Sequence, residues 1–241
     1  CGLALVYLIA GMILFGSATP VSRLIGQDVS TFTASATRVV LGALVLLPVA
    51  WRHLGAVSTL RSRQWIDLAL IALFGMVGFT ALLVEGMARI SGVAGSVVMA
   101  LVPVVTAVGA RIVFGSRFTP AKIAAVVLAT LGVATLHVFR GSFSGGETAE
   151  FVVGIALVLG AVCCEAAYTL VGKRATEDLD PVLVTFLASV LAVPVFVVLA
   201  FATSSPAEEL RALDLPTASA ILWWGVGTLA LGSVFWYRGV A

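Results

Sequence analysis

The chain has 241 residues, of which 61% are hydrophobic and only 11% are charged, and its mean hydropathy is +1.14. Soluble domains carry about 25% charged residues, so this composition excludes a water-soluble globule. The formal net charge of +2 is small and the basic residues are dispersed along the chain, which excludes a nucleic-acid-binding surface.

Eight stretches of the chain are apolar over roughly the 20 residues that a membrane-spanning helix needs. In chain order these predicted spans cover residues 3–24, 32–51, 65–86, 92–114, 121–139, 151–172, 182–202 and 218–236. Short connections separate the spans and hold most of the charge. With the N-terminus in the cytoplasm, more Lys and Arg residues fall on the cytoplasmic side than outside, which favours that orientation.

Three groups of neighbouring segments indicate that the chain repeats itself. The paired segments lie about 150 residues apart: "TFTAS" (31–35) with "TFLAS" (185–189), "TPVSR" (19–23) with "TLVGK" (169–173), and "EGMA" (85–88) with "RGVA" (238–241). A unit of this length contains five spans. Because five is odd, the second copy must enter the membrane from the opposite side, as in inverted-repeat transporters.

The sequence therefore predicts an all-α polytopic membrane protein, built as an inverted repeat of two five-helix halves. The first half covers residues 1–146, and the second half, 147–241, is incomplete. Ten helices are expected and about eight are present, because the second copy lacks counterparts of residues 91–140. The repeat would give two similar half-bundles that exchange roles on the two faces of the membrane.

At these same segments the chain resembles the EamA branch of the drug/metabolite transporter superfamily. The resemblance rests on "FGSATPVSR" (15–23) with the following Arg38, on residues 86–119, and on "GSVFWYRGVA" (232–241). It implies ten helices in two inverted halves and export of small metabolites across the bacterial inner membrane. The resemblance is greatest to YddG-type exporters of aromatic and other neutral amino acids. The chain has Phe15 where the family often has Trp, and Ser116 and Arg117 where it often has an acid.

Glu165 is the clearest functional candidate, because a charge inside a span costs about 2.5–3.5 kcal/mol. Its carboxylate could meet a substrate ammonium or carry a proton, or it could be neutralised by burial or bound to a neighbouring helix. Tyr168 follows at i+3 on nearly the same helix face and adds an aromatic ring with a polar end. Substrate-lining positions are also predicted on the third and fourth spans, at Phe79, Ser96 and Met99.

Two further groups have both a functional and a structural interpretation. Trp223 and Trp224 offer a stacking surface for an apolar substrate, or they belong to the aromatic belt at the membrane interface. Arg38 and Arg111 lie within about two turns of span ends, where snorkelling to the interface accounts for them. Asp67 is interpreted as a charge at a helix N-terminus.

Gating residues are predicted where helices break or where repeat counterparts carry charge. Pro20 and Pro103 interrupt the first and fourth spans, and opened backbone groups can line a cavity. Glu85 and Arg238 are counterparts in the repeat. An inverted repeat places them on opposite membrane faces, so they are interpreted as two halves of a gate and not as one ion pair.

The sequence lacks a nucleotide-binding motif and a metal-ligand motif, which restricts the activities that it predicts. "VGK" (171–173) lacks the earlier glycine of a P-loop, so ATP-driven transport is not expected. The two histidines, His53 and His137, lack metal-ligand spacing. We therefore expect no cofactor and no enzymatic activity. An intramembrane lipid-modifying enzyme would need convergent polar groups, and those identified here are scattered.

The sequence thus predicts a secondary carrier that exports small neutral metabolites, amino acids foremost, by alternating access around a central, largely apolar cavity. Its expected partners are the small-molecule substrate, the lipid bilayer and protons. Other metabolites, such as nucleotide sugars or drugs, remain alternative substrates. Anionic sugar phosphates would require several Lys or Arg residues at mid-span, and the sequence offers none there.

Overall fold

The computed structural model describes residues 2–25, 28–115 and 148–240, together with positions 120, 123, 124, 127, 128 and 131. Every regular element in these residues is helical, and they contain no strand. The predicted fifth span, 121–139, lies mostly outside the described residues, and so do Ser116 and Arg117. Six side chains within helices also lie outside the description, at positions 19, 20, 22, 23, 93 and 148.

The helices follow the predicted spans closely. The α-helices are α1 (Gly2–Ile25), α2 (Thr31–Ala50), α3 (Ser62–Leu70), α4 (Phe79–Met87), α5 (Gly92–Met99), α6 (Val102–Phe114), α7 (Thr148–Asp178), α8 (Pro181–Thr203), α9 (Pro206–Arg211), α10 (Leu215–Trp223) and α11 (Ser233–Val240). Helical runs long and apolar enough to cross a membrane are Thr31–Thr59, Ser62–Met87, Ala94–Phe114, Ala149–Asp178, Pro181–Thr203 and Leu215–Val240, and α1 is apolar over Gly2–Ala18. The predicted all-α membrane fold is confirmed.

Polar residues at the N-terminal ends of the spans fix where the helices begin. The helix N-caps that accept a backbone hydrogen bond are Ser30 for α2, Ser91 for α5, Asp180 for α8 and Asp214 for α10. Such caps satisfy N–H groups that have no partner within the helix. Asp28 precedes α2 much as Asp180 precedes α8, but only Asp180 is a cap. Asp28 instead accepts a hydrogen bond from Thr217 Oγ1 at 3.0 Å.

Three of the spans are not continuous α-helices, which the hydropathy pattern does not predict. The third span contains a π-helical segment, Ile71–Gly78, between α3 and α4. The eighth contains another, Trp224–Gly232, between α10 and α11. The fourth span is broken between α5 and α6, just before Pro103 near the start of α6. The two π segments begin at equivalent positions of the repeat, under the offset that aligns "EGMA" with "RGVA".

The chain divides into two compact units. One unit comprises Cys1–Ala72 and Gly172–Ala241, and the other comprises Leu73–Val171. The first has a buried apolar cluster of Ile25, Val29, Ala34, Ala220 and Ile221. The second has a cluster of Ile90, Ala94, Val98, Val158 and Val162. These units are not the two predicted repeats, whose boundary near residue 146 stays a prediction.

Each unit contains a close contact between a glycine and the backbone of another span. The repeat aligns the residues of these two contacts. A Cβ at Gly86 would lie 3.0 Å from the backbone nitrogen of Val158. A Cβ at Gly239 would lie 3.0 Å from the backbone nitrogen of Leu8. Gly86 and Gly239 are aligned by the "EGMA" and "RGVA" segments, and Leu8 and Val158 by the "TPVSR" and "TLVGK" segments. The two copies therefore pack the end of one span against another span in the same register.

The repeated segments "TFTAS" and "TFLAS" are both buried in the first unit. They lie on α2 and α8, the repeat counterparts that make the most extensive interhelical contact in the described residues. Thr33 and Ser35 are each 1% exposed, and their counterpart segment contains Thr185 at 1% and Ser189 at 0%. Small side chains of this kind let membrane helices approach closely, which explains why the pattern occurs twice.

The connection after α8 forms a short helix, α9, that binds back to the start of α2. Glu209 Oε2 accepts hydrogen bonds from the backbone N–H of Ser30 at 3.2 Å and from its hydroxyl at 3.0 Å. Ser30 Oγ also lies 2.9 Å from Ser204 Oγ. Desolvation raises the pKa of Glu209, but hydrogen bonds from Thr33, Ser30 and Ser204 outweigh it and leave that pKa below its ordinary value of 4.5.

Gly86→Ala and Gly239→Ala should each lower the stability of the protein by about 1–3 kcal/mol, because each added methyl group meets backbone atoms that cannot move aside. Gly16→Ala is the matched control, since a Cβ there would have no atom within 4 Å. Thermal unfolding of the detergent-solubilised protein measures all three. Equal melting temperatures for Gly86→Ala and Gly16→Ala would contradict the proposed close packing.

Glu209 should make stability depend on pH. Its folded-state pKa is lowered, so its contribution is full above the unfolded-state value and is lost as the pH falls through the folded-state value. We expect the wild-type melting temperature to fall more steeply than that of Glu209→Gln when the pH is lowered below about 4.5. Glu208→Gln, at the exposed neighbouring position, should retain the wild-type pH profile. Parallel profiles for wild type and Glu209→Gln would refute this role.

Candidate functional site

The predicted site residues fall into both compact units, and each group is described within its own unit. Unit Leu73–Val171 contains Phe79, Glu85, Ser96, Met99, Pro103, Glu165 and Tyr168. The other unit contains Pro20, Trp223, Trp224 and Arg238. The predicted constellation of Glu165 and Tyr168 therefore shares a unit with its predicted neighbours on the third and fourth spans.

Tyr168 is held against the π segment of the third span. It is 7% exposed, and a Cβ at Gly75 would lie 2.7 Å from its ring atom Cγ. One turn earlier, Cys164 Sγ would lie 3.4 Å from a Cβ at Gly78. Gly75 and Gly78 of the π segment thus pack against Tyr168 and Cys164, which lie on one face of α7. The close approach fixes the ring of Tyr168 in place.

Glu165 is the only carboxylate between these two contacts on α7, and it is half-buried. It follows Cys164 directly and precedes Tyr168 by three residues, so its side chain lies beside the face that packs on the third span. Phe79 begins α4 directly after Gly78 and is also half-buried. This part of the second unit combines a carboxylate, a fixed aromatic ring and an apolar wall.

The fourth span contributes a polar start and an apolar middle. Ser91 caps α5, and Ser96 Oγ donates a hydrogen bond to the carbonyl oxygen of Gly92 at 2.7 Å. Met99, the last residue of α5, packs against the buried cluster of this unit. Pro103 lies exposed near the N-terminus of α6, beyond the break. Ser96 therefore uses its hydroxyl proton within its own helix, and Pro103 follows the two-residue turn between α5 and α6.

Glu85 has a partner one helical turn away. Its Oε1 lies 2.6 Å from Nη1 of Arg89, and both side chains are partly exposed. Arg89 also donates to the carbonyl oxygen of Glu85 at 2.6 Å. Exposed pairs of this kind contribute about 0–1 kcal/mol. The ion pair with Arg89 compensates the charge of Glu85 locally. Arg238, the repeat counterpart of Glu85, lies exposed in the last turn of α11.

The two tryptophans at the start of the eighth-span π segment each have a polar partner. Trp223 Nε1 donates to Ser17 Oγ at 3.0 Å. The guanidinium carbon of Arg38 lies 4.7 Å from the centre of the Trp224 ring, a cation–π contact. Arg38 therefore contacts Trp224 within the first unit, and its snorkelling to the membrane interface stays a prediction. Pro20 lies within the continuous helix α1, and its side chain is outside the described residues.

Asp67 was missed as an ion-pair residue, and its interpretation as a helix N-terminal charge is wrong. It is the sixth residue of α3 and is 3% exposed. Arg174 of α7 donates to both of its carboxylate oxygens: Nε to Oδ2 at 3.2 Å, and Nη2 to Oδ1. A two-bond contact between guanidinium and carboxylate is a strong, directional ion pair. Asp67 and Arg174 lie 107 positions apart, so no short sequence pattern indicated that they form an ion pair.

The two π segments are the structural feature that sequence reasoning missed altogether. π-Helical turns are rare and are frequently found at functional sites. The π segment of the third span packs against Tyr168 at Gly75. The π segment of the eighth span begins at Trp224, whose ring contacts the guanidinium group of Arg38. Within the described residues, no group of three His, Cys, Asp or Glu side chains is placed to hold a metal ion.

Comparison with known proteins decides the family. The model of the EamA-like transporter family matches residues 2–137 and 152–241, which together make up most of the chain. The chain belongs to the EamA-like transporter family. The two matched segments begin at Gly2 and Val152, the offset at which the first and sixth spans align in the sequence. This EamA-like protein is therefore a multi-pass membrane protein with a general transport role.

Its relatives include two uncharacterized transporters of Bacillus subtilis. YyaM is 26% identical over 211 residues, covering 88% of this chain and 68% of its own length. YetK is 22% identical over 240 residues, covering 98% of this chain and 71% of its own length. An uncharacterized transporter of Archaeoglobus fulgidus is 27% identical over 180 residues, 72% of this chain and 60% of its own length.

The fold also matches a solved crystal structure of a protein. The match has a TM-score of 0.78 at 16% sequence identity and covers 98% of this chain and 78% of that one. At this identity the similarity concerns the fold alone. The EamA-like chain thus shares its helical architecture with a known structure over nearly its whole length.

Gly75→Ala should destabilise the protein by about 1–3 kcal/mol through overpacking against the Tyr168 ring. In a Tyr168→Ala background the same change should cost little, because the ring it meets is gone. Reversible unfolding in mixed SDS and detergent micelles measures this double-mutant cycle. A cost for Gly75→Ala that is the same in both backgrounds would contradict the contact.

Proposed function

We propose that this EamA-like transporter exports small neutral amino acids, aromatic and hydrophobic ones foremost, as a secondary carrier. The observation that carries the proposal is the Glu165–Tyr168 turn of α7, with Tyr168 seated on Gly75. A carboxylate beside a fixed aromatic ring, in the otherwise apolar stretch 151–172 of α7, matches a substrate with an ammonium group and an apolar side chain.

The energetics favour a substrate-binding role for Glu165. A carboxylate within a span costs about 2.5–3.5 kcal/mol, and such residues either pair with other groups of the bundle or mark a pathway for substrate, ions or protons. In this proposal the Glu165 carboxylate contacts the substrate ammonium. It takes up a proton when the substrate leaves, which couples transport to protons at the same atom.

The breaks in the helices support a cycle of alternating access. Transporters commonly use interrupted helices to change shape and to line a binding site. Here the fourth span breaks before Pro103, and the third and eighth spans contain π segments at repeat-equivalent positions. Glu85, Arg238 and Pro20 remain the proposed gating residues, and Phe79, Ser96, Met99, Trp223 and Trp224 the proposed binding residues beside Glu165 and Tyr168. We further infer a bacterial inner-membrane location with a cytoplasmic N-terminus.

Efflux of radiolabelled amino acids from proteoliposomes tests this function. The full-length protein should move neutral amino acids saturably, and Glu165→Gln should slow initial efflux by about tenfold or more, because losing a charged hydrogen bond costs roughly 1.5–3 kcal/mol. Glu150→Gln is the matched control: Glu150 is an exposed carboxylate in the first turn of the same helix. It should retain wild-type efflux.

The same assay separates the parts of the proposal. An imposed pH gradient should stimulate wild-type efflux and leave Glu165→Gln unaffected, if Glu165 carries the proton. Saturable efflux that survives Glu165→Gln would remove Glu165 from the site while keeping the substrate class. No movement of any amino acid by correctly folded protein would refute the amino-acid assignment.

A further inference from the structure

A polar pocket opens within the first unit, where the second and third spans are connected and the sixth span ends. It has a volume of about 340 Å³. The residues that line it include Thr59, Leu60, Arg61, Gln64 and Asp178. The ends of spanning helices lie where the hydrocarbon core of the bilayer gives way to water. The pocket therefore lies at the boundary between lipid and water.

The ion pair between Asp67 and Arg174 determines how these helix ends face each other. Along α3, Gln64 lies one turn before Asp67, and along α7, Asp178 lies one turn after Arg174. The ion pair thus lies about one helical turn deeper in the membrane than the pocket. Because Asp67 and Arg174 compensate each other, the charges that a ligand meets in the pocket are those of its own lining.

The pocket lining carries one positive and one negative side chain, Arg61 and Asp178, and both are exposed. Both residues belong to the described part of the chain, and no ion pair joins them to each other. Gln64 Oε1 accepts a hydrogen bond from the backbone N–H of Arg61 at 2.8 Å, so its NH₂ group is the end that can donate to a ligand. A ligand that carries both charges fits this lining better than an anion or a cation alone.

Apolar and aromatic side chains adjoin the pocket. Trp65 and Ile66 directly follow Gln64 and are 38% and 57% exposed, and Trp51, where the second span ends, is 70% exposed. Tryptophan is enriched at the level of the lipid headgroups. A polar pocket for a doubly charged group therefore lies beside a surface that suits acyl chains.

We propose that this pocket binds the headgroup of phosphatidylethanolamine, with its phosphate at Arg61 and Gln64 and its ammonium at Asp178. The two charges of this headgroup are joined by a two-carbon chain, so one molecule can contact both sides of the pocket. Phosphatidylcholine has the same charges, but its quaternary ammonium has no N–H to donate to the carboxylate. Phosphatidylglycerol has no ammonium at all. The site goes beyond the transport function and does not depend on the transported substrate.

Native mass spectrometry of the full-length, delipidated protein tests this assignment. Dioleoylphosphatidylethanolamine, dioleoylphosphatidylcholine and dioleoylphosphatidylglycerol are titrated separately, and the bound fraction is measured for each lipid. We expect the wild type to bind the ethanolamine lipid about fivefold more tightly than either of the others, the factor typical of one ion pair at an exposed site.

One variant at each end of the pocket tests the orientation of the headgroup. Asp178→Asn should lower binding of the ethanolamine lipid to the level of the choline lipid, because the ammonium loses its carboxylate partner. Arg61→Gln should weaken binding of all three lipids, because each of them has a phosphate. Glu177→Gln and Arg63→Gln are the matched controls, at exposed neighbouring positions outside the pocket lining, and should retain wild-type binding. Gel filtration verifies that each variant is folded.

Soluble glycerophosphoethanolamine distinguishes a lipid site from a site for a free zwitterion, because it has the same charges and no acyl chains. It should bind much more weakly than the lipid. Equal binding of the two, or an Asp178→Asn variant that keeps the wild-type preference, would overturn the proposal. A wild type without any preference for the ethanolamine lipid would overturn it as well.

Discussion

Close approach of helices at glycines is the constraint on which the packing of this protein depends. In a bilayer, apolar side chains gain nothing by leaving lipid for one another, so association depends on fit. Gly86 and Gly239 bring the ends of the third and eighth spans against Val158 and Leu8. Gly42 does the same for α2, where a Cβ would lie 2.6 Å from Leu229 Cδ2. Each glycine sets a register that a larger residue would shift.

Three charged side chains inside the described spans lie beside a compensating group. Asp67 binds Arg174, Glu85 binds Arg89, and Arg38 stacks on Trp224. The Glu165–Tyr168 turn combines a carboxylate with an aromatic ring that packs on a π segment. Gly75 and Gly78 pack against the turn of α7 that carries Glu165, so close helix packing and a charged residue occur at the same place.

The fold was largely predictable from the sequence, whereas the details of the site were not. Hydropathy depends on composition over about 20 residues, so the ends of α2 and α8 agree with their predicted spans within two residues. The π segments escaped prediction because a change from i+4 to i+5 hydrogen bonding leaves an apolar run just as apolar. The partners of Asp67 and Arg38 escaped it because contacts between distant residues leave no periodic signal.

The Asp67–Arg174 pair has a consequence for how the chain enters the membrane. The two residues are 107 positions apart, and synthesis at about 5–20 residues per second separates their appearance by roughly 5–20 s. During that interval the third span holds an acid without its guanidinium partner, and only its mean hydropathy of 2.2 favours insertion. The ion pair forms only after the sixth span, which carries Arg174, has been synthesised. The acid of the third span is thus paired by a residue that the ribosome delivers late.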